Sequence, residues 1–172
     1  MLKAATAADL DFLYAIESDK ALWSFSEDTE MDSDKLKQIL IDRIHDEVSH
    51  NFIILLNNDK QTPIGRINTW IYNKKNRIWE ISYAVLPAYQ GQGYCTEALK
   101  LLMDFAFSKL NAHKLVGTCN EHNIHSAAVM QKIGMIKEGV FRERLYWNGR
   151  WVDQFFFGIL EREYESSKPS SI

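Results

Sequence analysis

Two hydrophobic periods alternate along the chain, and together they predict a sheet wrapped by helices. Leu2 to Ala5 is a short strand, and Thr6-Ala7-Ala8-Asp9 has the spacing of a capping box opening a helix to Ile16. A second helix is expected from Ser33 to His45, where Leu36, Ile39, Leu40 and Ile44 fall on one face. Strand-like runs follow. Phe52 to Leu56 closes at Asn57-Asn58-Asp59, Ile64 to Tyr72 closes at Asn73-Lys74-Lys75-Asn76, and Ile78 to Leu86 extends the meander. The helical period returns from Thr96 to Leu110, with Leu99, Leu102, Met103, Ala106 and Leu110 as its apolar stripe. Lys114 to Cys119 is a strand entered from that crossover helix, so it is predicted parallel to Ile78 to Leu86. A helix over Asn123 to Ile133 is capped by Gly134. Ile136 to Tyr146 and Trp151 to Leu160 close a hairpin around Asn148-Gly149. Residues 1–160 then form one α/β (α+β) domain with a mostly antiparallel mixed sheet, and residues 161–172 are expected to be a flexible tail.

Between Gln90 and Cys95 the chain reads Gln-Gly-Gln-Gly-Tyr-Cys, just after a strand and just before a helix. Gly91 and Gly93 can adopt positive φ, which lets successive backbone N–H groups point inward, and the helix adds its own unpaired amides and positive dipole end. No Lys-Ser/Thr follows the glycines, and position 96 is Thr96 where a dinucleotide fingerprint needs its third glycine, so neither nucleotide motif fits. Taken alone, the loop is also compatible with an ordinary strand-to-helix turn.

A second segment reads Asn123-Ile124-His125-Ser126, then a helix, then Lys132-Ile133-Gly134-Met135, with Glu138-Gly139 beyond it. The two segments together resemble the Gln/Arg-x-x-Gly-x-Gly/Ala loop and the Asn-x-x-Ser element of the GNAT superfamily of N-acetyltransferases, especially its RimJ/RimL-like branch. Cys95 stands where that pattern has Gly or Ala. The resemblance implies a GNAT-type sheet whose parallel pair splays at the cofactor, with acetyl-CoA as co-substrate. It implies that Gln90, Gly91, Gln92, Gly93, Tyr94, Cys95 and Thr96 surround the pyrophosphate. Tyr83, Ala84 and Val85 would meet the pantetheine amides, and Asn123 would contact the same arm. The first two helices would line one side of the acceptor cleft.

Composition narrows the setting. With 172 residues, 46% apolar and 25% charged, the chain has the makings of one soluble domain, and its net charge of −3 gives no general attraction to nucleic acid. It has no eighteen-residue apolar run and no signal-peptide pattern, so the expectation is a cytoplasmic protein with no membrane or DNA partner. Cys95 and Cys119 lack metal-ligand spacing, and His122 and His125 lack clustered partners, so no metal is expected. Glu17, Asp19, Glu27, Asp28, Glu30, Asp32 and Asp34 face only Lys20 in their stretch, either as a solvated connection or as an attractor of a cationic substrate.

Acetyl transfer to an amine requires a neutral nitrogen, stabilisation of the developing oxyanion and a proton for the thiolate. Removing a proton at pH 7 costs roughly 4.6 kcal/mol for an aliphatic amine of pKa about 10.4, but only about 1 to 1.4 kcal/mol for an α-amine. Strand alternation puts Glu80, Ser82 and Ala84 on one face and Trp79, Ile81 and Tyr83 on the other. Glu80 is the candidate base, directly or through water, with a plain surface carboxylate as the alternative. Many superfamily members supply a tyrosine acid, but its position here is Met130. Ser126 is the candidate acid, or else a helix cap. Tyr146, Trp147 and Trp151 are either acceptor-site walls or core aromatics. The expected acceptor is a protein N-terminus, with a polyamine such as spermidine as the alternative. A non-catalytic acyl-CoA-binding module is the reading of another class, and a homodimer is expected from the family.

Overall fold

A computed structural model describes residues 1–26, 32–56 and 61–168. Seven strands form one sheet in the order β1-β2-β3-β4-β5-β7-β6. The strands are β1 Leu2–Ala4, β2 Ser49–Leu55, β3 Pro63–Asn73, β4 Ile78–Val85, β5 Lys114–Asn120, β6 Ile136–Trp147 and β7 Arg150–Leu160. The helices are α1 Leu10–Ser18, α2 Ser33–His45, α3 Tyr94–Lys109, α4 Ile124–Lys132 and α5 Glu161–Ser167. Every neighbouring pair is antiparallel except β4 and β5. The expected turn at Asn57-Asn58-Asp59 lies outside the described residues.

Successive side chains of a strand face opposite ways, and each face of this sheet has its own core. Ile54, Ile67, Trp79, Ile81, Leu115 and Phe157 pack under Leu99, Leu102, Met103 and Ala106 of α3, Met130 of α4 and Tyr164 of α5. On the opposite face Ile53 and Leu55 pack under Leu13 of α1 and Leu40 of α2.

Local chemistry fixes the ends of the elements. Thr6 donates from both its backbone N and its hydroxyl to the Asp9 carboxylate at 2.9 Å, and a single 3-10 turn over Ala7–Asp9 precedes α1. The Asp32 side chain accepts from the Asp34 backbone N and caps α2. Asn148 and Gly149 both hold positive φ, 49° and 76°, the geometry that matches a tight turn to the twist of β6 and β7.

Two boundaries differ from the sequence expectation. Gly93, at φ 87°, is the N-cap of α3, so the helix starts at Tyr94 and not at Thr96. The expected tail folds from Glu161 to Ser167 as α5. Tyr164 is buried there, its ring stacks on Phe107 at 4.9 Å, and its hydroxyl donates to Asp104 at 2.5 Å. Tyr164 is the buried side chain of this helix, and Lys168 just past its end reaches Asp104 at 3.4 Å.

Candidate active site

The site begins where the sheet opens. β4 and β5 pair only from Ile78↔Lys114 to Glu80↔Val116. Beyond that point β4 stays paired with β3 as far as Val85, and β5 stays paired with β7 as far as Asn120. The two strands diverge, and among the described residues the edge of β4 facing β5 from Ile81 to Val85 has no strand against it. A cavity of about 890 Å³ occupies the opening. Gly117 lies in its wall, and a Cβ there would come within 2.9 Å of the Met130 sulfur and 3.3 Å of Ile81, so both side chains would have to give way to admit one.

At one end of the cavity, Gly91 (φ 72°) and Gly93 (φ 87°) turn the chain into α3. Gln90 donates its side-chain amide to the Val85 carbonyl at 2.9 Å and so ties the loop to the end of β4. The loop thus presents a rigid helix N-terminus to the cavity, which suits a pyrophosphate. Every catalytic and cofactor-contacting residue named from the sequence lines this cavity except Gln92, whose side chain turns away to the Ala88 carbonyl. Burial pushes the Cys95 thiol up to about 12 and the Cys119 thiol up to about 11, so both are protonated at neutral pH and poor nucleophiles.

The start of α4 supplies the opposite wall. Asn123 accepts from the Ser126 backbone N at 3.0 Å and is the helix cap. The Ser126 hydroxyl is therefore not the cap, and it meets the Tyr83 hydroxyl at 2.9 Å across the opening. Burial raises the Tyr83 phenol well above its ordinary value, which keeps it protonated. The joining of these two hydroxyls was not legible in the sequence, because 43 residues separate them.

On the face carrying α1 and α2, Glu80 points into the cavity. Burial raises its carboxyl above the ordinary carboxylate value, and a hydrogen bond from Thr118 partly offsets that rise. The segment 21–26 faces it. Phe25 stacks on Trp147 at 5.7 Å, Trp147 donates to the Ser24 carbonyl at 2.6 Å, and Asn120 donates to the Phe25 carbonyl at 3.2 Å. Behind this wall, Trp23 covers the guanidinium of buried Arg66, which pairs with Glu17 at 2.7 Å and reaches Asn68 and Ser82.

Three expectations change here. Segment 21–26, and not the helices themselves, forms the wall of the cavity on this side. Of the three hairpin aromatics only Trp147 packs against that wall. Tyr146 and Trp151 meet edge to face at 5.2 Å and are 51% and 60% exposed, so they neither line the cavity nor fill the core. Several of the acidic residues are committed elsewhere. Glu17 pairs with Arg66, Asp19 accepts from Ala21 and Leu22, and Asp32 caps α2. Glu27, Asp28 and Glu30 lie outside the described residues. His122 contacts Arg150 at 3.0 Å, and no group of three metal-ligating side chains forms among the described residues. No helix among those residues is long and apolar enough to cross a membrane.

The sequence profile of the acetyltransferase (GNAT) domain matches residues 1–136. The chain belongs to the GNAT acetyltransferase family. Acetyl-CoA is accordingly its acyl donor, and the opening between β4 and β5 with its glycine loop fits that molecule. Among similar proteins, the uncharacterized N-acetyltransferase YnaD of Bacillus subtilis is 35% identical over 106 residues, 62% of each chain. The putative ribosomal N-acetyltransferase YdaF of the same organism is 33% identical over 104 residues, 60% of this chain and 57% of that protein. The matched stretch therefore spans less than two thirds of either relative. The crystal structure of spermidine N-acetyltransferase from Vibrio cholerae in complex with CoA and spermine superposes with a TM-score of 0.87, at 24% identity, over 96% of this chain and 97% of that one. At that identity the likeness concerns the fold.

Proposed function

We propose that this GNAT protein transfers the acetyl group of acetyl-CoA directly to a primary amine, and that the favoured acceptor is the α-amine of a peptide or protein N-terminus, in the RimJ/RimL-like manner. The observation that carries this is the cavity's charge. Among the described residues that line it, Glu80 is the one carboxylate, half-buried and hydrogen-bonded by Thr118. A single base suffices for an α-amine, whose deprotonation costs about 1 to 1.4 kcal/mol at pH 7.

In this mechanism Glu80 takes the proton of the amine, directly or through one water. The neutral nitrogen attacks the thioester carbonyl carbon, the new C–N bond forms, the C–S bond breaks, and the nitrogen's second proton passes to the hydroxyl pair as the thiolate is protonated. Backbone N–H groups along the open edge of β4 face the developing oxyanion. The Tyr83 and Ser126 hydroxyls hold a proton beside the departing thiolate, in the role for which Met130 has no group to offer. Cys95 and Cys119, both held protonated, take no covalent part.

A polyamine acceptor is the second reading, favoured by the fold shared with a spermidine N-acetyltransferase. It would need further carboxylates, and the candidates are Glu27, Asp28 and Glu30. An acceptor panel separates the two. Peptides with free N-termini should be acetylated with kcat/KM at least tenfold above spermidine. Turnover of spermidine alone would replace the first reading by the second. CoA binding with no turnover of any amine would leave a binding module.

A further inference from the structure

The face that carries Glu80 does not end at the cavity. Phe141 stands opposite Gln154 in the β6/β7 register, and its ring meets Phe156 at 5.5 Å between centroids. Phe156 in turn meets Tyr72 at 6.3 Å. The stripe lies open, with Tyr72 55% and Phe141 46% exposed. Single exposed aromatics are ordinary, whereas a contiguous row calls for an occupant.

Register joins this row to the acceptor side of the cavity at three points. Tyr72 follows Trp70 on β3, Phe156 is the cross-strand partner of Thr118, and Phe141 is the partner of Gln154. Trp70, Thr118 and Gln154 all line the cavity, and Thr118 is the residue that hydrogen-bonds Glu80. Two strand spacings and two residue rises separate Glu80 from Phe156, roughly 10 to 12 Å, which an extended chain covers in about three or four residues. Near the row, Glu138 is neutralised by Lys114 at 2.5 Å, the pair lying across Gly158.

We infer that Tyr72, Phe156 and Phe141 form an apolar subsite for the residues that follow the acetylated amine, so that the acceptor is a peptidyl N-terminus with apolar side chains at its second to fourth positions. The inference rests on the N-terminal reading of the acceptor. Its occupant is the substrate's own chain, and a second copy of this protein is the rival.

The test uses two tetrapeptide amides with the same first residue, one carrying Leu or Phe at positions two to four and the other Ser and Gly. The wild-type kcat/KM should favour the apolar peptide at least tenfold, chiefly through KM. In the double variant Tyr72→Ser, Phe141→Ser that ratio should fall to within threefold of one, while the Kd for CoA and the melting temperature stay close to wild type and report an intact fold. A wild-type ratio near one overturns the subsite. So does a ratio that survives the double substitution, or a dimer seen by sedimentation that the variant dissociates without moving the ratio. Equal acetylation of both peptides would sink the subsite and leave the N-terminal reading standing, whereas turnover of spermidine with neither peptide acetylated would remove both.

Discussion

The two walls of the cavity are built in different ways. The donor side rests mainly on backbone devices local in sequence, an opened strand edge, two glycines at positive φ and a helix N-terminus reached within a few residues, with the Tyr83–Ser126 hydroxyl pair as its one contact from further along the chain. The acceptor side consists of side chains gathered from afar. Trp147 reaches Ser24 over 123 residues and Asn120 reaches Phe25 over 95. A wall made of backbone tolerates drift in side chains and keeps its ligand. A wall made of distant side-chain contacts can be rebuilt for a new acceptor without disturbing the donor site. Substitutions on one side should therefore leave the other side's ligand alone.

Glu17→Ala should have the largest effect on stability. Arg66 is buried, and among the described residues Glu17 is its ion-pair partner, so removing that partner leaves a charge in the interior at a cost of about 3–5 kcal/mol. Chemical denaturation should register the loss. A cost below about 1 kcal/mol would mean that Arg66 is not anchored as described. Gly93→Val comes next. A branched residue forced to φ 87° is strained by about 1–2 kcal/mol; the free loop relaxes to relieve this, CoA binding must restore it, and the Kd for CoA by calorimetry should weaken roughly tenfold with acceptor KM unchanged. Trp147→Ala should have the smallest effect and the opposite selectivity. Loss of a stacked pair worth about 0.5–1.5 kcal/mol should raise acceptor KM several-fold and leave CoA affinity intact. If either of the last two variants moved both ligands together, the division between the walls would be wrong.

The same division explains what could be read from the chain. The strands, the parallel pair, the glycine loop and the Asn123 helix were legible because period, turn chemistry and motif spacing are all short-range properties. Thr118 as the partner of Glu80 was not, since nothing in the sequence fixes the register of a parallel pair. Trp147 was legible as a wall residue only in company with Tyr146 and Trp151, because hairpin alternation does not say which face meets segment 21–26. The acidic run between Glu17 and Asp34 reads either as a solvated connection or as an attractor of cations. Folding assigns Glu17 to a buried arginine and Asp32 to a helix cap, tasks that composition alone cannot separate. Tyr164 went unnoticed because a single aromatic among Glu, Arg and Ser carries no period.

The central claim is that the Glu80 carboxylate, raised by burial, takes the amine proton. Only the ionised form can do this, so wild-type kcat/KM should rise with pH through a limb lying above the ordinary glutamate value of 4.5. The most direct measurement compares Glu80→Gln with wild type on a peptide N-terminus at pH 7 and at pH 9. With Glu80 taking only the amine proton, its loss predicts a deficit of about five- to tenfold at pH 7, matching the roughly 1 to 1.4 kcal/mol that deprotonating an α-amine costs there. That deficit should shrink clearly at pH 9, where an α-amine of pKa about 7.7–8.0 is already neutral. A deficit of the same size at both pH values would contradict the assignment and leave Glu80 as a positioning group.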